Sequence, residues 1–207
     1  MDNTLPELIT DRIGPLVEPV HEAFEFARHT LQTKHEGLYD EREQRWLRTH
    51  ALRGGAWRNL RDLGLPASWA LTGRHRRNGE IHLAYGSGEM QVRVLHTFPV
   101  NYAPVAGYNG ARRAYYTNTA IEELSDPFTT QRLILLWQEP DDSAEFELTM
   151  IRPLEPGRIG RHVKSDLVIP MPRTLSAFEA LTFDPQDDEQ SLLFEIDDDE
   201  LEDGTDV

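Results

Sequence analysis

One stretch of this chain gathers groups that bind anions and stack on rings: Ala106-Gly107-Tyr108-Asn109-Gly110-Ala111-Arg112-Arg113-Ala114-Tyr115-Tyr116. Its glycines let a backbone approach an anion closely. Arg112 and Arg113 could fork onto a phosphate or carboxylate. Tyr108, Tyr115 and Tyr116 could stack on a base. No Gly-Lys-Ser/Thr follows, so this is not a P-loop, and the glycine spacing is not that of a dinucleotide fingerprint. The plainer reading is a structural loop pinned by its tyrosines.

A second basic cluster, Arg74, Arg76 and Arg77 around His75, precedes Asn78-Gly79. With the arginines of 42–61 it could form a nucleic-acid footprint. Those helical arginines do not all share one face, and no recognition-helix or RNA-binding sheet motif accompanies them. Ordinary surface charge is the alternative. His21, Glu25 and His29 stand four residues apart on a predicted helix and could hold a metal. The spacing also fits a solvated helix flank, which is the expected reading; no metal or cofactor is expected. His82 and His96 fall on facing predicted strands, where two imidazoles could relay protons. The same positions suit hydrogen-bonded sheet histidines. An enzyme would use one of them with a carboxylate, in a cleft near 99–127.

Charge is strongly segregated. Residues 174–207 hold 13 acids and no Lys or Arg, whereas 42–113 hold 12 Arg against 4 acids. The net charge of −15 hides that basic middle. Such asymmetry points to a partner or to contact between the two regions. Within the tail, Leu192, Leu193, Phe194 and Ile196 interrupt the acid. Acidic–hydrophobic mixtures can dock as short motifs, so these four residues are the expected tail-docking group.

The elements that must position these groups are legible from periodicity. Val17, Val20, Phe24, Ala27 and Leu31 predict a helix over Pro15–Glu36. A second helix is expected from Asp40 to about Arg53, bending at Gly54-Gly55 and resuming over Ala56–Leu63. The period then changes to two. Strands are expected at 68–72, 80–85, 90–98, 131–138, 144–152 and 161–169, with a hairpin at Gly86-Ser87-Gly88-Glu89. Pro99–Pro127 is a long irregular connection, with a short helix possible within Tyr115–Leu124, and connections of that length usually have a role. The expectation is α+β: two N-terminal helices packed on a mainly antiparallel five- to six-stranded sheet. Residues 1–173 form one domain, and 174–207 a disordered acidic tail.

The apolar fraction suits a globular body. Without cysteine, disulfides, thiolate nucleophiles and cysteine-bound metals are excluded. No apolar run is long enough for a membrane helix, and the N-terminus lacks signal-peptide character. A cytoplasmic setting is expected, with no membrane partner.

The middle block, from Trp57-Arg58-Asn59-Leu60 to Asn109-Gly110-Ala111-Arg112-Arg113-Ala114-Tyr115-Tyr116, resembles small uncharacterised proteins of actinobacteria and their mobile elements. That resemblance implies a regulatory or phage-related setting and carries over no catalytic residue. The leading functional expectation is a non-enzymatic regulatory or defence-related interaction protein. Its acidic tail and Arg/Tyr loop would engage a protein partner. A nucleic-acid or nucleotide-binding module autoinhibited by the tail is the second reading, and the enzyme is the third.

Overall fold

The computed structural model describes residues 4–35, 45–76, 79–97, 103–124, 129–139, 145–157 and 163–181. The chain opens with α1 (Leu5–Ile13), a 3-10 turn (Gly14–Leu16) and α2 (Val17–Lys34). Sequence periodicity had not marked α1, yet its start is written in a capping box. The Thr4 side chain accepts from the Glu7 N–H, the Glu7 carboxylate accepts from the Thr4 N–H, and Pro6 lies in the first turn. The helix α3 (Arg45–Leu63) runs straight through Gly54-Gly55, where a bend was expected. Packing accounts for this. A Cβ on Gly55 would lie 2.8 Å from that of Ala27 on α2, so glycine lets the two helices cross closely. The expected start at Asp40 lies outside the described residues.

Six strands follow in the spatial order of the sequence: β1 (Trp69–Thr72), β2 (His82–Tyr85), β3 (Met90–His96), β4 (Gln131–Gln138), β5 (Glu147–Pro153) and β6 (Ser165–Pro170). All neighbours are antiparallel except β3 and β4, which run parallel. The expected hairpin forms, with Gly86 and Gly88 at φ of +56° and +108°. The fold is therefore α+β with a mostly antiparallel sheet.

The two sheet faces are covered differently. Val92, Val94, Leu133, Leu135, Trp137, Leu148 and Met150 face the helices and form the main core. On the other face, Ile134, Leu136 and Ile151 pack against Ala103, Ala106 and Tyr116 from the β3–β4 crossover. The crossover carries the short helix α4 (Gly110–Tyr115) and a 3-10 turn (Ile121–Glu123). Because β4 is covered on both faces, it reads as a continuous apolar run.

The body does not stop at Arg173. Thr174 caps a last helix, α5 (Leu175–Glu179), by accepting from the Ala177 N–H. Phe178 is buried and packs at Gly14. The expected domain end at 173 thus falls eight residues short of Leu181, where the described chain ends.

Candidate functional site

The Arg/Tyr loop divides into a buried and an exposed half. Tyr116 is fully buried and donates to the Pro104 carbonyl. The Tyr115 hydroxyl lies 2.8 Å from both the Gln91 and the Leu133 carbonyl, so its one proton is shared between them. Burial pushes both phenols up, away from ionisation. The Arg93 guanidinium also stacks over the Tyr115 ring. These two tyrosines therefore pin the crossover to the sheet, and Tyr116 has no ring face to offer a ligand. Tyr108 is 99% exposed at the loop tip. Arg113 is exposed and Arg112 half-buried on α4, and neither makes an ion pair among the described residues.

The second basic cluster lies elsewhere. Arg74 and Arg76 are exposed in the turn after β1, while His75 stacks on Trp57 of α3 at 4.0 Å. That turn belongs to the helix side, whereas α4 covers the opposite face, so the two basic groups do not merge into one stripe. Arg77 and the tail group Leu192, Leu193, Phe194 and Ile196 lie outside the described residues, as does His162.

The histidine groupings also separate. His21 is buried, not solvated as expected for a helix flank, and its Nε2 donates to the Met171 carbonyl. Glu25 pairs instead with Arg173. No cluster suited to a metal ion occurs among the described residues. His82 pairs in register with Arg93, which donates to its Nε2 at 3.1 Å on the α4 face. His96 lies on the helix face. The expected neighbour pair is thus split across the sheet, because an odd number of residues separates each from facing the other.

His96 instead joins a polar cleft. A cavity of about 80 Å3 lies between α3 and the carboxyl ends of the parallel strands β3 and β4. Arg45, Arg48, Thr49 and Leu52 line one wall, at helical spacing i, i+3, i+4 and i+7, which puts them on one stripe. His96 and Thr97 from β3 face Trp137, Gln138 and Glu139 from β4. The His96 and Trp137 rings meet edge to face at 4.4 Å. Arg48 pairs with Glu139, its Nε donating to Oε2 at 2.9 Å, with both side chains mostly out of solvent.

The electrostatics of the cleft are positive at the imidazole. Burial lowers the His96 pKa to about 4, and the charges of Arg53 and Arg45 lower it further in the same sense. His96 is therefore neutral at physiological pH. The Trp137 indole N–H is buried without an acceptor among the described residues, as is the Gln138 Oε1 without a donor. Buried polar groups in this condition are rare and call for an explanation. The cleft thus gathers two guanidinium groups, two hydroxyls and an indole N–H around a small volume.

Sequence reasoning singled out His96 but not its neighbours. The signals were present in two places. A histidine occupies a position of the Met90/Val92/Val94 face where alternation asks for an apolar residue, and Arg45/Arg48/Thr49/Leu52 make a half-polar helical stripe. No protein-family model, curated protein or solved structure matches this chain.

Proposed function

We propose that this chain is a non-enzymatic binding protein of regulatory type, and that the cleft between α3 and the ends of β3 and β4 takes up a small anionic group, a phosphate or a carboxylate. One observation carries the reading: the guanidinium groups of Arg45 and Arg48 and the hydroxyls of Thr49 and Thr97 line a cavity of about 80 Å3 around a neutral imidazole in a positive field. Arginine forks and hydroxyl donors are the groups that recognise phosphate and carboxylate oxygens. The position at the carboxyl ends of a parallel strand pair is where open sheets commonly bind ligands. Binding is favoured over catalysis because Glu139 is engaged by Arg48, and an imidazole with a pKa about 4 is a weak base. Exposed Tyr108, Arg112 and Arg113 on the opposite face remain a surface for a protein partner.

The experiment is an NMR titration of the His96 ring with inorganic phosphate and, separately, acetate. An anion in the cleft offsets the arginine charge, so the His96 pKa rises with ligand. Arg45→Ala should weaken phosphate binding about tenfold, the effect of losing ~1.4 kcal/mol. An unmoved His96 titration across the whole phosphate range would sink the reading.

A nucleotide is the second reading. Trp46, adjacent to Arg45 and edge-on to His50, is 65% exposed. An exposed indole beside an anion cleft is a stacking surface for a base. In a nucleotide titration, Trp46→Ala would then weaken AMP binding without changing that of phosphate.

A further inference from the structure

β1 is the first strand of the sheet and pairs on one side only, with β2. The backbone groups on its free side are open to another strand. Alongside runs an open groove of about 490 Å3 walled by Arg12, Ser68, Trp69, Tyr85 and Glu89. Apolar surface borders it. Leu65 and Leu71 are only partly buried, and Leu63 at the end of α3 is 64% exposed.

The end of the described chain lies close to this groove. Phe178 packs at Gly14, two residues from Arg12, and the Arg12 carbonyl accepts the Trp69 indole N–H at 3.0 Å. The chain passes out of the described residues three positions later, after Leu181. The nine residues 182–190 then lead to Ser191-Leu192-Leu193-Phe194-Glu195-Ile196. Extended, nine residues span about 30 Å, more than enough to reach the groove. Leu192, Phe194 and Ile196 alternate, which is the pattern of a strand with one apolar face.

We propose that residues 191–196 add to the free edge of β1 as a seventh strand, running parallel to it from Trp69 towards Thr72. The occupant follows from proximity and composition: this is the apolar run of the tail, and the tail leaves the body beside the Trp69 end. The direction follows from charge. Asp197-Asp198-Asp199-Glu200 come directly after the apolar run, and exposed Arg74 and Arg76 come directly after β1. Parallel pairing brings those four acids to the two arginines. Antiparallel pairing would bring them back towards Glu89, whose carboxylate already engages Arg12. Leu192, Phe194 and Ile196 then lie beside Trp69 and Leu71, and strand addition takes its affinity from main-chain hydrogen bonds and its specificity from these alternate side chains.

The absence of cysteine makes a direct test possible in the full chain. Ala70→Cys and Glu195→Cys are introduced together, and oxidation is followed by mass under denaturing, non-reducing conditions. An intramolecular disulfide at monomer mass is the expected result. A disulfide formed only between two chains would overturn the proposal in favour of a second copy as the occupant. No disulfide would overturn it outright. Hydrogen exchange of the β1 peptide supplies the independent readout. Phe194→Ser with Ile196→Ser should speed exchange there at least tenfold while leaving β4 unchanged, and an unaltered β1 rate would reject the added strand.

Discussion

Arg152 shows how one residue can tie distant segments together. Its side chain is 1% exposed on β5. The guanidinium donates to Gln131 on β4 at 2.9 Å, to Asp166 on β6, and to the Thr119 carbonyl in the crossover at 2.7 Å. Asp166 in turn accepts from the Ile121 N–H. Arg152→Ala would leave a carboxylate, an amide and a carbonyl without their donor, so it should cost about 3–5 kcal/mol in urea unfolding. Nothing in the sequence marked this arginine, because a buried network is a property of three strands meeting and no local pattern encodes it. His96 allows a sharper test. Unfolded, its imidazole protonates near 6.5; folded, only near 4. Between those values the unfolded state binds more protons, so this group makes stability fall as pH drops through the window. His96→Gln removes that contribution. Denaturant midpoints at about pH 7 and about pH 5 should therefore lie closer together in the variant than in the parent chain.

At the scale of elements, periodicity located five of the strands to within a few residues and one, β4, at its printed ends. It worked because most strands have one face in the helix-side core, and alternation is the direct record of that burial. It failed where the cause was not periodic. The capping box of α1 is a two-residue signal, and the straightness of α3 depends on a partner helix. The adjacent glycines of α3 separate these causes. A Cβ on Gly55 meets Ala27, whereas one on Gly54 meets nothing within 4 Å. Gly55→Ala should therefore destabilise by about 1–3 kcal/mol through overpacking. Gly54→Ala should stabilise by roughly 0.5–1 kcal/mol through helix propensity alone. Thermal unfolding of the two single variants decides this, and equal shifts of one sign would mean that α2 and α3 do not cross there.

For the whole molecule, the decisive question is where the body ends and the acidic segment begins. Composition places that border at Thr174, because the last Arg or Lys is Arg173. Packing moves it. Arg173 bridges Glu25 and Glu145, the Leu175 N–H donates to the Glu18 carboxylate, and Phe178 is 4% exposed against the turn between α1 and α2. Helix α5 is thus a clasp that returns the chain to its N-terminal elements. Charge could not reveal this, since a single buried phenylalanine has little weight in a composition count. A chain ending at Arg173 should lose about 3 kcal/mol relative to one ending at Leu181, the scale of a buried aromatic. The step from Leu181 to the natural end should be the smaller of the two, because a short added strand exchanges backbone order for a few apolar contacts. Denaturant unfolding of the three chains measures both steps. If removing 174–181 costs no stability, Phe178 contributes nothing to the core. The tail would then leave the body from Arg173, and the close approach of its exit to the β1 groove would be lost.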